Sequence, residues 1–299
     1  MTPLRNYNRI DYLKKEAAGF PRLLREIPLP PAGLYLRGDL KKFIKALEEK
    51  AAVAVVGTRR ASNEGLRLAR KFGRELTEQD LIVVSGLALG IDQAAHWGVL
   101  DGGGLTVAVF GNGLDEIYPK ENEKLADKIL QSGGWLVSEF PPGTPSYRDN
   151  FLARNRIISG LSRGVLIIEA PLKSGSLVTA KWATEQNREV FVVPGPMRDH
   201  NYTGSFRLIR SGAALVTSVQ DICEELSLPF TAAGELPLKK IKLAPEQDLV
   251  FNSIKSSGRA VTVDKIIAIT KLEPQKVNQA IAFLLVNDII KEDVGKYHL

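Results

Sequence analysis

From residue 51 onward, short and nearly unbroken apolar runs alternate with longer segments whose apolar residues recur every three or four positions. The runs are AAVAVVG (51–57), LIVVSG (81–86), LTVAVFG (105–111), GWLVSE (134–139), GVLIIEA (164–170), REVFVVPG (188–195) and AALVTS (213–218). Strands that are apolar on every residue are covered on both faces, and the intervening helical periodicity supplies the cover. The pattern predicts an α/β fold: a Rossmann-like, doubly wound, mainly parallel sheet over residues 51–226. Residues 1–50 read as an N-terminal helical extension, with helical segments near 8–17 and 39–49 around the Pro-rich turn IPLPPAGLYLRG. Residues 227–243, with Pro, Gly and a basic run, read as a linker. Beyond it, helical patterns over 246–256, 262–270 and 273–287 precede two short strands around Asp293–Gly295, which predicts a small C-terminal winged-helix domain over 244–299.

Composition adds little to that picture, but charge adds direction. The 299 residues are 44% apolar and 25% charged, ordinary for a globular protein, and carry a net charge of +6. A positive balance suits a polyanionic partner. Between Arg59 and Glu75 lie six basic residues and two acidic ones, most of them read as a solvated helix face. One cysteine, Cys223, leaves no internal disulfide and fits a reducing compartment. The N-terminus has no apolar leader, and no stretch reaches the roughly 18 apolar residues of a membrane span. A cytoplasmic location is expected.

In open parallel sheets, ligands bind beyond the carboxyl ends of the strands, so the residues after each strand define the candidate site. Those segments are rich in Gly and Ser: Gly57-Thr58-Arg59-Arg60-Ala61-Ser62, then Ser85-Gly86-Leu87-Ala88, and Lys173-Ser174-Gly175-Ser176 leading to Thr179. Such loops bring backbone N–H groups to an anion at a helix start, and Arg59, Lys173 and Lys120 add charge on the same edge. The rim is expected to hold phosphate. GTRRASNEG is not a dinucleotide-binding glycine fingerprint, and no P-loop motif occurs. The three histidines, His96, His200 and His298, have no ligand spacing, and no G-x-S-x-G elbow is present. No catalytic group, metal or cofactor is therefore expected.

FLARNRIISG, from Phe151, raises a separate question. With Asp149 or Asn150 as N-cap, Arg154 falls inside the apolar stripe with Ile157, Ile158 and Leu161, while Arg156 points away. The simplest expectation makes Arg154 a strut paired with Glu139 or Glu169, leaving Asn155 and an exposed Arg156 to meet a ligand, although the reverse assignment is also open. The helix from Glu273 to Asn287 carries one acidic and one basic residue, and Val277, Ile281, Leu284 and Leu285 read as core rather than as a reader of base edges.

Together the motifs VAVVGTRRAS, VVSGLALGIDQAAHWGVL, TVAVFGNGLDEIYPKEN, LVSEFPPG, FLARNRIISGLS, LIIEAPLKSGSLVTAKWA, VFVVPGP and GSFRLIRSGAALV resemble, in order, the DNA-processing protein A family (DprA, also called Smf). The likeness covers about residues 20–226. It implies a homodimeric protein without catalytic activity that binds and protects single-stranded DNA and helps load the recombinase RecA in natural transformation. It implies DNA contacts at Arg59, Lys120, Arg154, Asn155, Arg156, Ser174, Gly175 and Ser176, and a dimer contact near Leu208 to Leu215; the reading of the rim itself adds Gly57, Ser62, Gly86, Phe151, Lys173 and Thr179 as expected DNA contacts. The chain departs from the family at Leu152, where a proline is usual, at Phe206, where asparagine is usual, and in having only about 50 residues before the first strand. A nucleotide phosphoribohydrolase of the lysine-decarboxylase-like family is the alternative. K-S-G-S-L-V-T-A lacks that family's second glycine pair and glutamate.

Overall fold

The computed structural model describes residues 9–231, 244–257, 260–286, 290–293 and 295–298. Most of the expected linker lies outside them. The chain divides into two compact units, Met1–Phe230 and Thr231–Leu299.

In the first unit nine described strands form one sheet: β1 Asp11–Lys14, β2 Gly33–Arg37, β3 Ala52–Val56, β4 Ile82–Ser85, β5 Thr106–Phe110, β6 Trp135–Ser138, β7 Gly164–Ile167, β8 Glu189–Val192 and β9 Ala214–Leu215. Their order is β1-β2-β6-β5-β4-β3-β7-β8-β9. From β6 to β9 all neighbours run parallel, and each of the seven apolar runs contains one strand. The helices are α1 Arg22–Arg25, α2 Leu40–Glu49, α3 Asn63–Glu78, α4 Ile91–Asp101, α5 Glu123–Gln131, α6 Arg148–Gly160, α7 Ser176–Glu185, α8 Thr203–Arg210 and α9 Val219–Glu225. All five residues of β3 are buried. Val53 and Val55 join a cluster with Phe72, Leu76 and Val99 of α3 and α4, while Ala54 and Val56 face the other way into a cluster with Ile157 and Ile158 of α6 and Ala180 of α7. Burial on both faces is the reason these strands are continuously apolar.

The first fifty residues correct one expectation. The segment expected to be helical near 8–17 holds β1, antiparallel to β2, which pairs antiparallel with β6. In β2, Leu34 and Leu36 are fully buried and Tyr35 is not, a period-2 pattern hidden inside the Pro-rich stretch. Unpaired hydrogen-bonding groups at the edge of β6 recruit this hairpin and override a weak local helical pattern. The helix expected over 39–49 is present as α2, capped by Asp39, whose side chain accepts from the Lys42 N–H.

In the second unit, helices α10 Pro245–Ser257, α11 Val263–Thr270 and α12 Pro274–Val286 and the hairpin β10 Lys291–Asp293 with β11 Lys296–His298 enclose a core of Val250, Ile254, Ile266, Val277, Ile281 and Leu284. Val277, Ile281 and Leu284 are core residues, as the pattern predicts.

Candidate functional site

The chain builds outward from β3 through β4 and β5 to β6, then returns to place β7 on the other side of β3. The loops after β3 and β7 thus diverge, and a crevice opens beyond their carboxyl ends. A cleft of about 590 Å3 occupies it. Of the residues expected to bind DNA, Gly57, Arg59, Phe151, Arg154, Asn155, Lys173, Ser174, Gly175, Ser176 and Thr179 line this cleft. Gly86 and Lys120 line an adjoining cleft of about 650 Å3 on the β4–β5 side, which shares Arg59, Phe151 and Arg154. The partition is aromatic and cationic. The Arg59 and Arg154 guanidinium carbons lie 5.8 and 5.9 Å from the Phe151 ring centroid, and the Tyr118 ring lies 5.2 Å from it.

Ser62 and Arg156 line neither cleft. Ser62 caps α3, accepting from the Gly65 N–H at 2.9 Å, and its own hydroxyl donates to Glu169. On the opposite bank, the Ser174 and Ser176 hydroxyls lie 2.7 Å apart at the start of α7, and Asn155 Nδ2 donates to the Gly175 carbonyl at 3.2 Å. This bank is a polar cradle at a helix N-terminus, where the positive end of the peptide dipoles attracts an anion.

Cations in the cleft differ from those on the adjacent helix. Arg67, Arg70, Lys71 and Arg74 of α3 pair with Glu64, Asp101, Glu75 and Glu78. That face is the solvated, self-neutralised surface the sequence predicts. Arg59, Arg60, Arg148 and Lys173 line the cleft, are exposed and make no ion pair among the described residues. Arg148 escapes sequence analysis because α6 begins with it, after Tyr147, rather than at an Asp149 or Asn150 cap. A helix start placed directly after the PGTPS loop would have brought Arg148 to the rim.

The Arg-Asn-Arg expectation is corrected. Arg154 is 4% exposed and pairs with neither Glu139 nor Glu169. One terminal nitrogen donates to the Gly86 carbonyl at 2.8 Å and to the Val109 carbonyl. Its electrostatic partner is buried Asp92, which accepts from the Gly86 N–H at 3.1 Å. Burial draws the Arg154 pKa down to about 10 against the pull of Asp92, and burial pushes the Asp92 carboxyl up. Arg156 is the strut. It is half-buried and grips both Glu139 oxygens, and its Nε donates to the Leu29 carbonyl at 2.9 Å. A helical wheel misses this arrangement because the N-terminal segment covers the side on which Arg156 projects. It also misses that the stripe at Arg154 meets strand-end carbonyls rather than apolar side chains. Glu169 is held by the Ser62 N–H at 3.0 Å, the Ser62 hydroxyl and Asn201 Nδ2 at 2.9 Å.

Below Arg154 lies His96, fully buried, with Nδ1 2.8 Å from Thr106 Oγ1. That hydroxyl donates to the Val83 carbonyl at 2.7 Å, so Nδ1 carries the proton and donates to it. Burial first, and the Arg154 charge second, draw the His96 pKa down to about 3. The unfolded chain takes up this proton near pH 6.5, so between there and pH 3 it binds more protons than the folded chain, and stability falls as pH falls. The expected loss between pH 6.5 and 4.5 is about 2 kcal/mol. Denaturant unfolding at the two pH values should show a shallower loss in His96→Leu by about that amount. Equal losses in the two proteins would assign the acid sensitivity elsewhere.

Residues 11–227 match the family model described as DNA recombination-mediator protein A. Protein Smf of Escherichia coli is 43% identical over 251 residues, which are 83% of this chain and 66% of that protein, so the chain spans just under two thirds of that relative's length. The crystal structure of DNA processing protein A from Streptococcus pneumoniae is 42% identical, with a TM-score of 0.67 over 75% of this chain and 76% of that one. DNA processing protein A from Helicobacter pylori, solved to show its single-stranded DNA binding mode, is 31% identical, with a TM-score of 0.64 over 73% of this chain and 96% of that one.

Proposed function

Since the chain belongs to the DNA recombination-mediator protein A family, we propose that it binds single-stranded DNA in the cleft beyond β3 and β7, protects it, and helps load RecA onto it during natural transformation. The observation that supports this most is the convergence of four cations that make no ion pair among the described residues, Arg59, Arg60, Arg148 and Lys173, with the Ser174–Ser176 cradle and Phe151 in one cleft. Phosphates sit against the cations and the α7 N-terminus, and a base meets the Phe151 and Tyr118 rings. Stacking of this kind contributes roughly 1–3 kcal/mol per base and tolerates any sequence. No step requires a catalytic group. Asp92, the acid nearest the cleft, is committed to Arg154 and the Gly86 N–H, which gives no support to the phosphoribohydrolase alternative.

The protein acts in this proposal in the cytoplasm as a homodimer joined through the sheet unit, near Leu208 to Leu215. The outer position of β9 and the half-exposed Leu215 favour that edge. Three helices and a hairpin make the second unit a winged helix in this proposal, serving protein or weak nucleic-acid contact rather than sequence reading. The test is a titration of fluorescent dT18 and of a duplex of equal length. The single strand is expected to bind more tightly, and Arg59→Glu to weaken it. Equal affinity for duplex, or an indifferent Arg59→Glu, would move the site elsewhere.

A further inference from the structure

We infer that single-stranded DNA leaves the cleft over the β7–β8 end of the sheet, across Leu172, Met197 and Arg198, and not over the β5–β6 end; this rests on the cleft being the DNA site. Charge separates the two exits. On the β5 side, the loop that closes the adjoining cleft carries Asp115, Glu116 and Glu121 against Lys120, and Glu116 and Glu121 line that cleft themselves. A phosphate moving that way meets three exposed carboxylates. On the other side, β7 and β8 are paired as far as Ile167 and Val192, so the segments that follow them leave the sheet side by side. The first carries Leu172 and Lys173, the second Met197 and Arg198. Asn201, just beyond, donates to the carbonyl of Arg60 at 3.2 Å and to Glu169 at 2.9 Å, which ties the β8 segment to the cation loop of the cleft. Lys173 and Arg60 therefore stand at the cleft wall with Arg198 beyond them. Arg198 is exposed and makes no ion pair among the described residues.

The same ground is apolar in a way that a protein surface without a partner does not require. Met197 is 89% exposed and Leu172 is 54% exposed. A polarisable thioether and a branched aliphatic chain between separated cations match the alternation of base and phosphate along an unstacked strand. A duplex presents no free base faces to such residues, so this track adds to single-strand preference beyond the cleft itself.

The test compares dT6, short enough to be held by the cleft, with dT18, in wild type, Arg198→Glu and Met197→Ser. Both substituted sites are at the surface, and thermal melting should be unchanged. The expected result is a loss of dT18 affinity of roughly five- to tenfold at low salt in Arg198→Glu, with dT6 affinity within twofold of wild type. Met197→Ser should lose less, again only with dT18. An unchanged dT18 affinity in Arg198→Glu would overturn the inference, as would an equal loss with dT6. Glu121→Lys tightening dT18 while Arg198→Glu leaves it alone would reverse the direction. Wild type that fails to hold dT6 at all would instead contradict the cleft as the DNA site.

Discussion

Gly175→Val is expected to reduce affinity for single-stranded DNA about 10- to 100-fold while leaving the fold intact, because one or two charge-assisted hydrogen bonds to phosphate are lost. The glycine has ordinary helical dihedrals, φ −63° and ψ −22°, and a β-carbon added there meets nothing within 4 Å. Among the described residues nothing requires a glycine at this place. The space its missing side chain leaves is cleft, at the N-terminus of α7 between Ser174 and Ser176. Stability should change by less than about 1 kcal/mol. Gly57, on the opposite bank, is the contrast. A β-carbon there would lie 2.5 Å from Ile91 Cγ1 and 2.9 Å from the Glu169 carbonyl oxygen, so Gly57→Val should lose folding and binding together. Circular dichroism melts and oligonucleotide titrations on the two variants separate the cases. Normal DNA affinity in a folded Gly175→Val protein would remove the phosphate from the α7 cradle.

Arg154→Met is expected to lower stability by about 3–5 kcal/mol, since it leaves Asp92 as a buried charge without its partner and frees the Gly86 and Val109 carbonyls. Asp92→Asn in the same chain should recover part of that loss. In a double-mutant cycle the two residues should couple by about 1 kcal/mol or more. The parallel cycle on Glu139 should couple it to Arg156, which grips both its oxygens, and not to Arg154. Urea unfolding of the single and double variants gives both numbers. Strong coupling of Arg154 to Glu139 would restore the pairing expected from the helical wheel.

These two predictions mark the boundary of what the sequence discloses. Nearly unbroken runs rich in Val, Ile and Leu reveal every parallel strand, because a strand buried on both faces carries few polar residues to confuse the pattern. Gly, Ser and basic residues after those runs reveal most of the cleft, because the sheet topology forces strand ends together. Arg154 and Arg156 are misassigned because helical periodicity tells which side of a helix is covered and not what covers it. At Arg154 the cover is the ends of β4 and β5, whose carbonyls need donors; at Arg156 it is the segment around Leu29. Strands β1 and β2 are hidden for the same reason, since their pairing with β6 is a long-range event that a local window does not see. Arg148 goes unnoticed by an offset of two or three residues in the helix start alone.

The most direct test of the central claim, that phosphates of a single strand are held by the cations of this cleft, is the salt dependence of dT18 binding. Each phosphate neutralised on a single strand contributes about −0.7 to the slope of log K against log salt concentration. Engagement of Arg59, Arg148 and Lys173 predicts a slope of about −2 or steeper for the wild type, and one shallower by about 0.7 or more in Arg59→Glu. A slope near zero, or one that Arg59→Glu leaves unchanged, would contradict the account.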